Sequence, residues 1–143
     1  MSAAPDAAAR VAASFAAQDF MASLGARLTV VDAGRVDIEL DVRPGLLQQH
    51  GFVHAGVVSA IADSAAGYAA LSLLPAGSDV LTAEFKINLL APARGTRLLA
   101  RARVVRSGRT LSVCSCDVFA LQDGVEKQIA LLVSTVFAMR GGT

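Results

Sequence analysis

The chain has no tryptophan, one tyrosine, two cysteines and two lysines in 143 residues. Each scarcity excludes something. Cys114 and Cys116 are two apart, so on a strand they would share a face about 7 Å apart, poor geometry for a disulfide. One C-x-C with no further cysteine cannot furnish a zinc site. Both are expected as small, reduced packing residues. No run of like charges occurs, and 13 basic residues offset 12 acidic ones for a net charge of +1. That balance points to neither a nucleic-acid patch nor a binder of anionic membranes. No apolar run approaches the ~20 residues that would span a bilayer. The first residues lack the basic-then-apolar order of a secretory leader, so a cytoplasmic location is expected. There is no G-x-S-x-G elbow, no G-x-G-x-x-G after a strand and no P-loop.

What is present is apolar. Hydrophobic residues make up 54% and charged residues 17% of the chain, which excludes disorder. A length near 150 residues suits one domain, here 1–143. The 28 alanines, and 11 arginines against two lysines, read as GC-rich coding and not as function.

The pattern along the chain predicts a helix over 6–24, opened by Pro5 and stopped by Gly25. Two strands, Arg27–Val31 and Arg35–Val42, surround a turn at Asp32-Ala33-Gly34. After a loop to His54, residues 55–74 read as a helix apolar nearly all round, hence buried. Three strand patterns follow. Leu81, Ala83, Phe85, Ile87 and Leu89 alternate with Thr82, Glu84, Lys86 and Asn88. Leu98, Ala100, Ala102 and Val104 alternate with Arg101 and Arg103. Turns at Ser107-Gly108 and Asp123-Gly124 lead into 110–121 and 127–139, where Ile129, Leu131, Val133, Phe137 and Met139 share a face. The expected fold class is α+β: a mostly antiparallel sheet wrapped around one long buried helix.

Asp63 stands out in that helix. An unpaired buried carboxylate costs several kcal/mol, so it needs a hydrogen-bonding partner or a task. Ser59, Asp63 and Gly67 are spaced by four and share a face that could line a cleft. The plain alternative is a carboxylate bonded structurally to a neighbouring strand or subunit. His54-Ala55-Gly56 falls at the helix start, where unsatisfied N–H groups and the helix dipole could polarise a carbonyl. An ordinary helix start is the competing reading. A metal held by His50, His54 and Asp63 is not expected, because Gly51 interrupts the spacing and no fourth ligand is evident.

The stretch QQHGFVHAGVVSAIADSAAGYAA resembles the hotdog-fold thioesterases of the phenylacetate-pathway (PaaI-like) group. TAEFKINLLAPARG and VVRSGRTL are similar to the family's next two elements, so the resemblance covers nearly the whole chain. It implies a hotdog fold and hydrolysis of an acyl-coenzyme A thioester to free acid and coenzyme A. Position by position, the family's acid falls on Asp63 and its amide residue on Gln48. The oxyanion glycines of H-G-G fall on Ala55 and Gly56 after His54, with Ala55 replacing a glycine. The water-positioning hydroxyl falls on Thr82. The phosphate-contacting hairpin falls on Arg106, Gly108 and Arg109. Coenzyme A would be part of the substrate, so no cofactor is implied. The resemblance also implies edge-to-edge homodimers assembling to a homotetramer, with the active site at the subunit interface. Small residues at 65–67 suggest room for an aryl or medium-chain acyl group bordered by Gly67, Tyr68 and Leu71. The alternatives are a non-catalytic acyl-CoA-binding module, or another hotdog reaction such as hydration. Against hydration, both histidines precede Asp63 and none follows it.

Overall fold

In the computed structural model, which describes residues 5–140, the elements run α1 (Pro5–Ala16), α2 (Asp19–Leu24), β1 (Arg27–Asp32), β2 (Arg35–Asp41), α3 (Ala55–Leu71), β3 (Ser78–Leu89), β4 (Arg97–Arg106), β5 (Leu111–Gln122) and β6 (Val125–Arg140). The six strands form one antiparallel sheet in the order β1-β2-β4-β5-β6-β3. Helix α3 lies on one face of it. This is the hotdog arrangement. Among the described residues no helix is long and apolar enough to cross a membrane.

Alanine explains how closely α3 can approach. Ile61, Ala62, Ala65, Ala66 and Ala69 are fully buried, and short side chains let the helix backbone settle near the sheet. The inner face of the sheet meets them with Ile38, Leu98, Ala100, Cys116, Val118 and Leu132. Cys114 and Cys116 are free and belong to this core. Burial pushes the Cys114 thiol up to about 11, and raises Cys116 further.

Four expectations need correction. The single helix over 6–24 is two helices, because Gln18 takes an extended backbone (φ −87°, ψ 99°) between them. Its side chain explains the break. Gln18 Nε2 donates to Tyr68 Oη at 2.9 Å, and Gln18 Oε1 accepts from Ser64 Oγ at 3.1 Å. The chain turns there and puts Met21 and Leu24 into the core. Helix α3 ends at Leu71, three residues short of the expected 74. Ser72 intercepts the end by donating to the Ala69 carbonyl at 2.7 Å and accepting from Gly34 N–H at 2.8 Å.

The other two corrections concern which way side chains face. On β3 a bulge at Ala83 breaks the apparent period of two. Leu81 pairs with exposed Phe137 on the outer face. Beyond the bulge Phe85 and Ile87 pair with Ser134 and Leu132, which are buried on the inner face. On β6 the inner residues are Ala130, Leu132, Ser134, Val136 and Ala138. The set Leu131, Val133, Phe137 and Met139 lies outside, and Ile129 is buried as the extra, bulged residue between Gln128 and Ala130, opposite Val118 and Phe119.

Candidate active site

The loop from Gln48 to Phe52 is built around a side chain. Gln48 Oε1 accepts from the N–H groups of His50 and Phe52, while its own N–H donates to the Phe52 carbonyl at 2.8 Å. Gly51 supplies the left-handed φ of 85° the turn needs. Backbone N–H groups can bond only to the amide oxygen, so the Gln48 NH₂ is the end left over. Among the described residues no hydrogen bond uses it. His50 itself is exposed.

Helix α3 then begins. His54 is its N-cap, with Nδ1 accepting from Gly56 N–H at 2.7 Å. A neutral imidazole here does the work usually done by Ser or Asp. The Gly56 amide expected as an oxyanion donor is therefore engaged, whereas no hydrogen bond of the Ala55 N–H occurs among the described residues. Gly56 is tight against its cap: a Cβ would fall 2.9 Å from His54 Nδ1.

Against this helix start lies a cavity of about 580 Å³, lined by Gln48, Phe52, His54, Ala55, Leu89 and Pro92 among others. Its size and apolar walls suit a small-molecule ligand. The Arg94 guanidinium stacks over Phe52 at 4.9 Å beside it. Leu89, Pro92 and Phe52 were not singled out in the sequence. The signal for Leu89 and Pro92 was the Pro92-Ala93-Arg94-Gly95 turn after β3; Phe52 carried none.

Asp63 has a partner. Thr82 Oγ1 donates to Asp63 Oδ1 at 2.6 Å, both side chains being half-buried. The distance marks a charge-assisted bond. The bulge at Ala83 turns Thr82 inward towards α3. No group of three or more His, Cys, Asp or Glu among the described residues is placed to hold a metal.

The expected site residues therefore fall into two groups within one chain. Gln48, His54, Ala55 and Gly56 cluster at the helix start. Asp63 is eight residues further along α3, about 12 Å at 1.5 Å per residue. Arg106, Gly108 and Arg109 belong to the β4–β5 hairpin, at the far end of β4 from Thr96 and the helix start. Nine residues separate Arg97 from Arg106, about 30 Å of strand. The hairpin instead lies near Thr82's end of the sheet, since Leu111 and Leu81 both oppose Phe137.

The expected acyl border at Gly67, Tyr68 and Leu71 is closed. All three are buried. The N-terminal helices cover Tyr68, which packs edge-on against Phe15 with ring centres 6.0 Å apart, and its hydroxyl is taken by Ser14 and Gln18; Gly67 faces Val80 of β3.

The sequence pattern of the thioesterase superfamily matches residues 50–127, the stretch that carries the helix start, Asp63, Thr82 and the hairpin. A solved structure from Silicibacter pomeroyi, described as a thioesterase family protein, is 48% identical. It covers 94% of this chain and 99% of that one, with a TM-score of 0.93. The Escherichia coli PaaI protein of the phenylacetic acid degradation operon is 23% identical, covers 98% of each chain and has a TM-score of 0.87. Among curated proteins, one from Halobacterium salinarum, named provisionally as an esterase, is 36% identical over 80 residues. That match spans 54% of this chain and 52% of the relative's own length.

Proposed function

This chain belongs to the thioesterase superfamily, and we propose on that premise that it hydrolyses an acyl-coenzyme A thioester in a site assembled from two copies of itself. The observation that carries this reading is the paired but incomplete chemistry of one chain. Asp63, held by Thr82 at 2.6 Å, is a positioned carboxylate about 12 Å from the nearest oxyanion donors. The outer edge of β3, the last strand of the sheet, is unpaired and antiparallel pairing suits it. Two copies joined there by a two-fold axis run their α3 helices in opposite directions. One copy's helix start then approaches the other's Asp63.

In such a site the thioester carbonyl sits at the start of α3. The Ala55 N–H polarises its oxygen, joined by Gly56 N–H once it exchanges His54 Nδ1 for the substrate. The Gln48 NH₂ donates to the same oxygen or orients the water. Asp63 takes a proton from that water as its oxygen adds to the carbonyl carbon. The C–S bond then breaks, and the proton passes to the departing thiolate, leaving acid and thiol. Direct attack by Asp63 is the other route: it would expel the thiolate and form a mixed anhydride, and ¹⁸O found in the Asp63 carboxylate after single-turnover hydrolysis in ¹⁸O-water would reveal an anhydride opened by water at the aspartyl carbonyl. The Arg106–Arg109 hairpin of the copy that supplies Asp63 is suited to the coenzyme A phosphates, where arginine can bind bidentately. The cavity's volume and apolar wall favour an aryl or medium-chain acyl group.

Subunit mixing tests the reading. Asp63→Asn and Gln48→Ala are each expected to be folded and slow on an acyl-CoA panel, the first by at least about 10²-fold in kcat. Unfolded together and refolded, they should recover about a quarter of wild-type rate, since half the dimers would hold one whole site. No recovery would place both residues in one chain's site. No turnover of any acyl-CoA by the wild type, with a raised Tm in its presence, would replace catalysis by binding.

A further inference from the structure

The loop after β3 is fastened to its surroundings at three points. The Leu90 and Ala91 N–H groups donate to the Ile129 carbonyl at 2.8 and 3.3 Å. The Ala93 carbonyl accepts from Val53 N–H at 2.9 Å, and Thr96 N–H donates to the Leu121 carbonyl at 2.8 Å. Arg94 therefore projects from a fixed support. The face of its guanidinium lies over the Phe52 ring, which leaves the N–H groups at its edge for another acceptor. Lys127 reaches the same place through the bulge of β6. Ile129 is the extra residue there, so Lys127 pairs with buried Ala120 on the inner side of the sheet. A hollow of about 210 Å³ lies between Arg94 and Lys127, bordered also by Gln122. It shares Pro92 and Ile129 with the cavity at the start of α3.

These two cations are unmatched. The ion pairs among the described residues use Arg27, Arg35, Arg97, Arg101 and Arg103, and Arg94 and Lys127 belong to none of them. Asp123 borders a neighbouring hollow with Arg94 but does not pair with it. Glu126, next to Lys127, is held by Arg101 at 2.8 Å. From Ala55 the cavity runs along an apolar wall of Phe52, Leu89, Leu90 and Ile129, and the adjoining hollow carries the two positive charges. An acyl chain ending there in a methyl group would shield both cations from water and offer them no acceptor. A carboxylate at that end would meet a guanidinium edge, which can bind it bidentately, and an ammonium. The coenzyme A phosphates are the other anions of such a substrate. They lie on the sulfur side of the thioester, and the Arg106–Arg109 hairpin is suited to them.

We propose that Arg94 and Lys127 bind a carboxylate at the far end of the acyl group, so that the preferred substrates are thioesters of dicarboxylic acids, aryl or medium-chain. The inference rests on the reading of the substrate as an acyl-CoA, but not on its hydrolysis. Calorimetric titration of Asp63→Asn tests it without turnover. Adipoyl-CoA is compared with hexanoyl-CoA, suberoyl-CoA with octanoyl-CoA and terephthaloyl-CoA with benzoyl-CoA. In at least one pair the carboxylated member should bind about tenfold more tightly. Arg94→Gln and Lys127→Gln, each added to Asp63→Asn, should cut that ratio at least about threefold while the melt stays cooperative. Arg103→Gln, on the outer face, should leave the ratio unchanged. No binding of any acyl-CoA, no pair favouring the carboxylate, or a ratio that either hollow variant leaves intact would overturn the proposal. If Arg94→Gln weakens both members of a pair alike, and the loss vanishes with the phosphate-free pantetheine thioesters, Arg94 meets the coenzyme instead. Wild-type rates on the same panel keep the two readings apart. Hydrolysis with no charge preference would leave the thioesterase and remove the carboxylate subsite. The preference in binding with no hydrolysis would leave the subsite and remove the catalytic assignment.

Discussion

Replacing Thr82 by valine removes one hydroxyl and almost no volume, and so isolates the bond to Asp63. That bond is 2.6 Å long and its acceptor is a carboxylate. Hydrogen bonds to charged groups contribute about 1.5–3 kcal/mol. Both side chains are half-buried, so water can partly replace the hydroxyl, and the lower end applies. At about 1.4 kcal/mol per factor of ten, Thr82→Val should slow kcat/KM roughly tenfold to thirtyfold. Stability should change little, because valine also suits an inward position on a strand. The assay is thiol release from the best acyl-CoA of a panel, with a melting curve beside it. The decisive measurement is the double variant. If Thr82 acts through Asp63, adding Thr82→Val to Asp63→Asn should cost almost nothing further. A folded Thr82→Val with unchanged kcat/KM, or losses that multiply in the double variant, would refute the argument.

Two further outcomes follow from local geometry. Gly95 has φ 149°, and a Cβ there would run into the Leu121 carbonyl oxygen. Gly95→Ala should therefore lower stability by about 1–3 kcal/mol, read by denaturant titration; a loss under about 0.5 kcal/mol would contradict it. Cys114 and Cys116 are buried with raised thiol pKa values, so a disulfide thiol reagent should label neither until the protein unfolds. Stoichiometric labelling of the native protein would show that β5 opens.

The sequence made single conspicuous positions easier to read than the facing of strands. Asp63 stood out because a carboxylate in an alanine-rich helix demands a partner, and Thr82 supplies it. The start of α3 followed from the small residues after His54. The imidazole as cap was hidden, since histidine is an uncommon choice there. The break at Gln18 was also hidden, because no glycine or proline marks it. Its cause lies fifty residues away in Tyr68, and such long-range bonds leave no local trace. The same holds for the bulge at Ala83. The stretch from Leu81 to Leu89 alternates without a flaw, and only pairing with β6 shows where the alternation slips. The placement of the Arg106–Arg109 hairpin far from Gln48 depends on strand order, which periodicity does not encode.

The bulge also changes which kinds of mutation this strand can absorb. A regular strand sorts its residues by parity, and Thr82 is even-numbered while Phe85, Ile87 and Leu89 are odd. One uninterrupted ladder would have to choose between a hydroxyl at Asp63 and an apolar floor beneath the helix. The extra residue lets both face inward. It follows that length and lettering are constrained differently here. Loss of Ala83 would merely regularise the ladder, with Thr82 still opposite Val136 and Glu84 still opposite Thr135. Insertion of a residue between Ala83 and Phe85 would instead slide the rest of the strand by one, turning Phe85 and Ile87 outward and Lys86 inward while Thr82 stayed where it is.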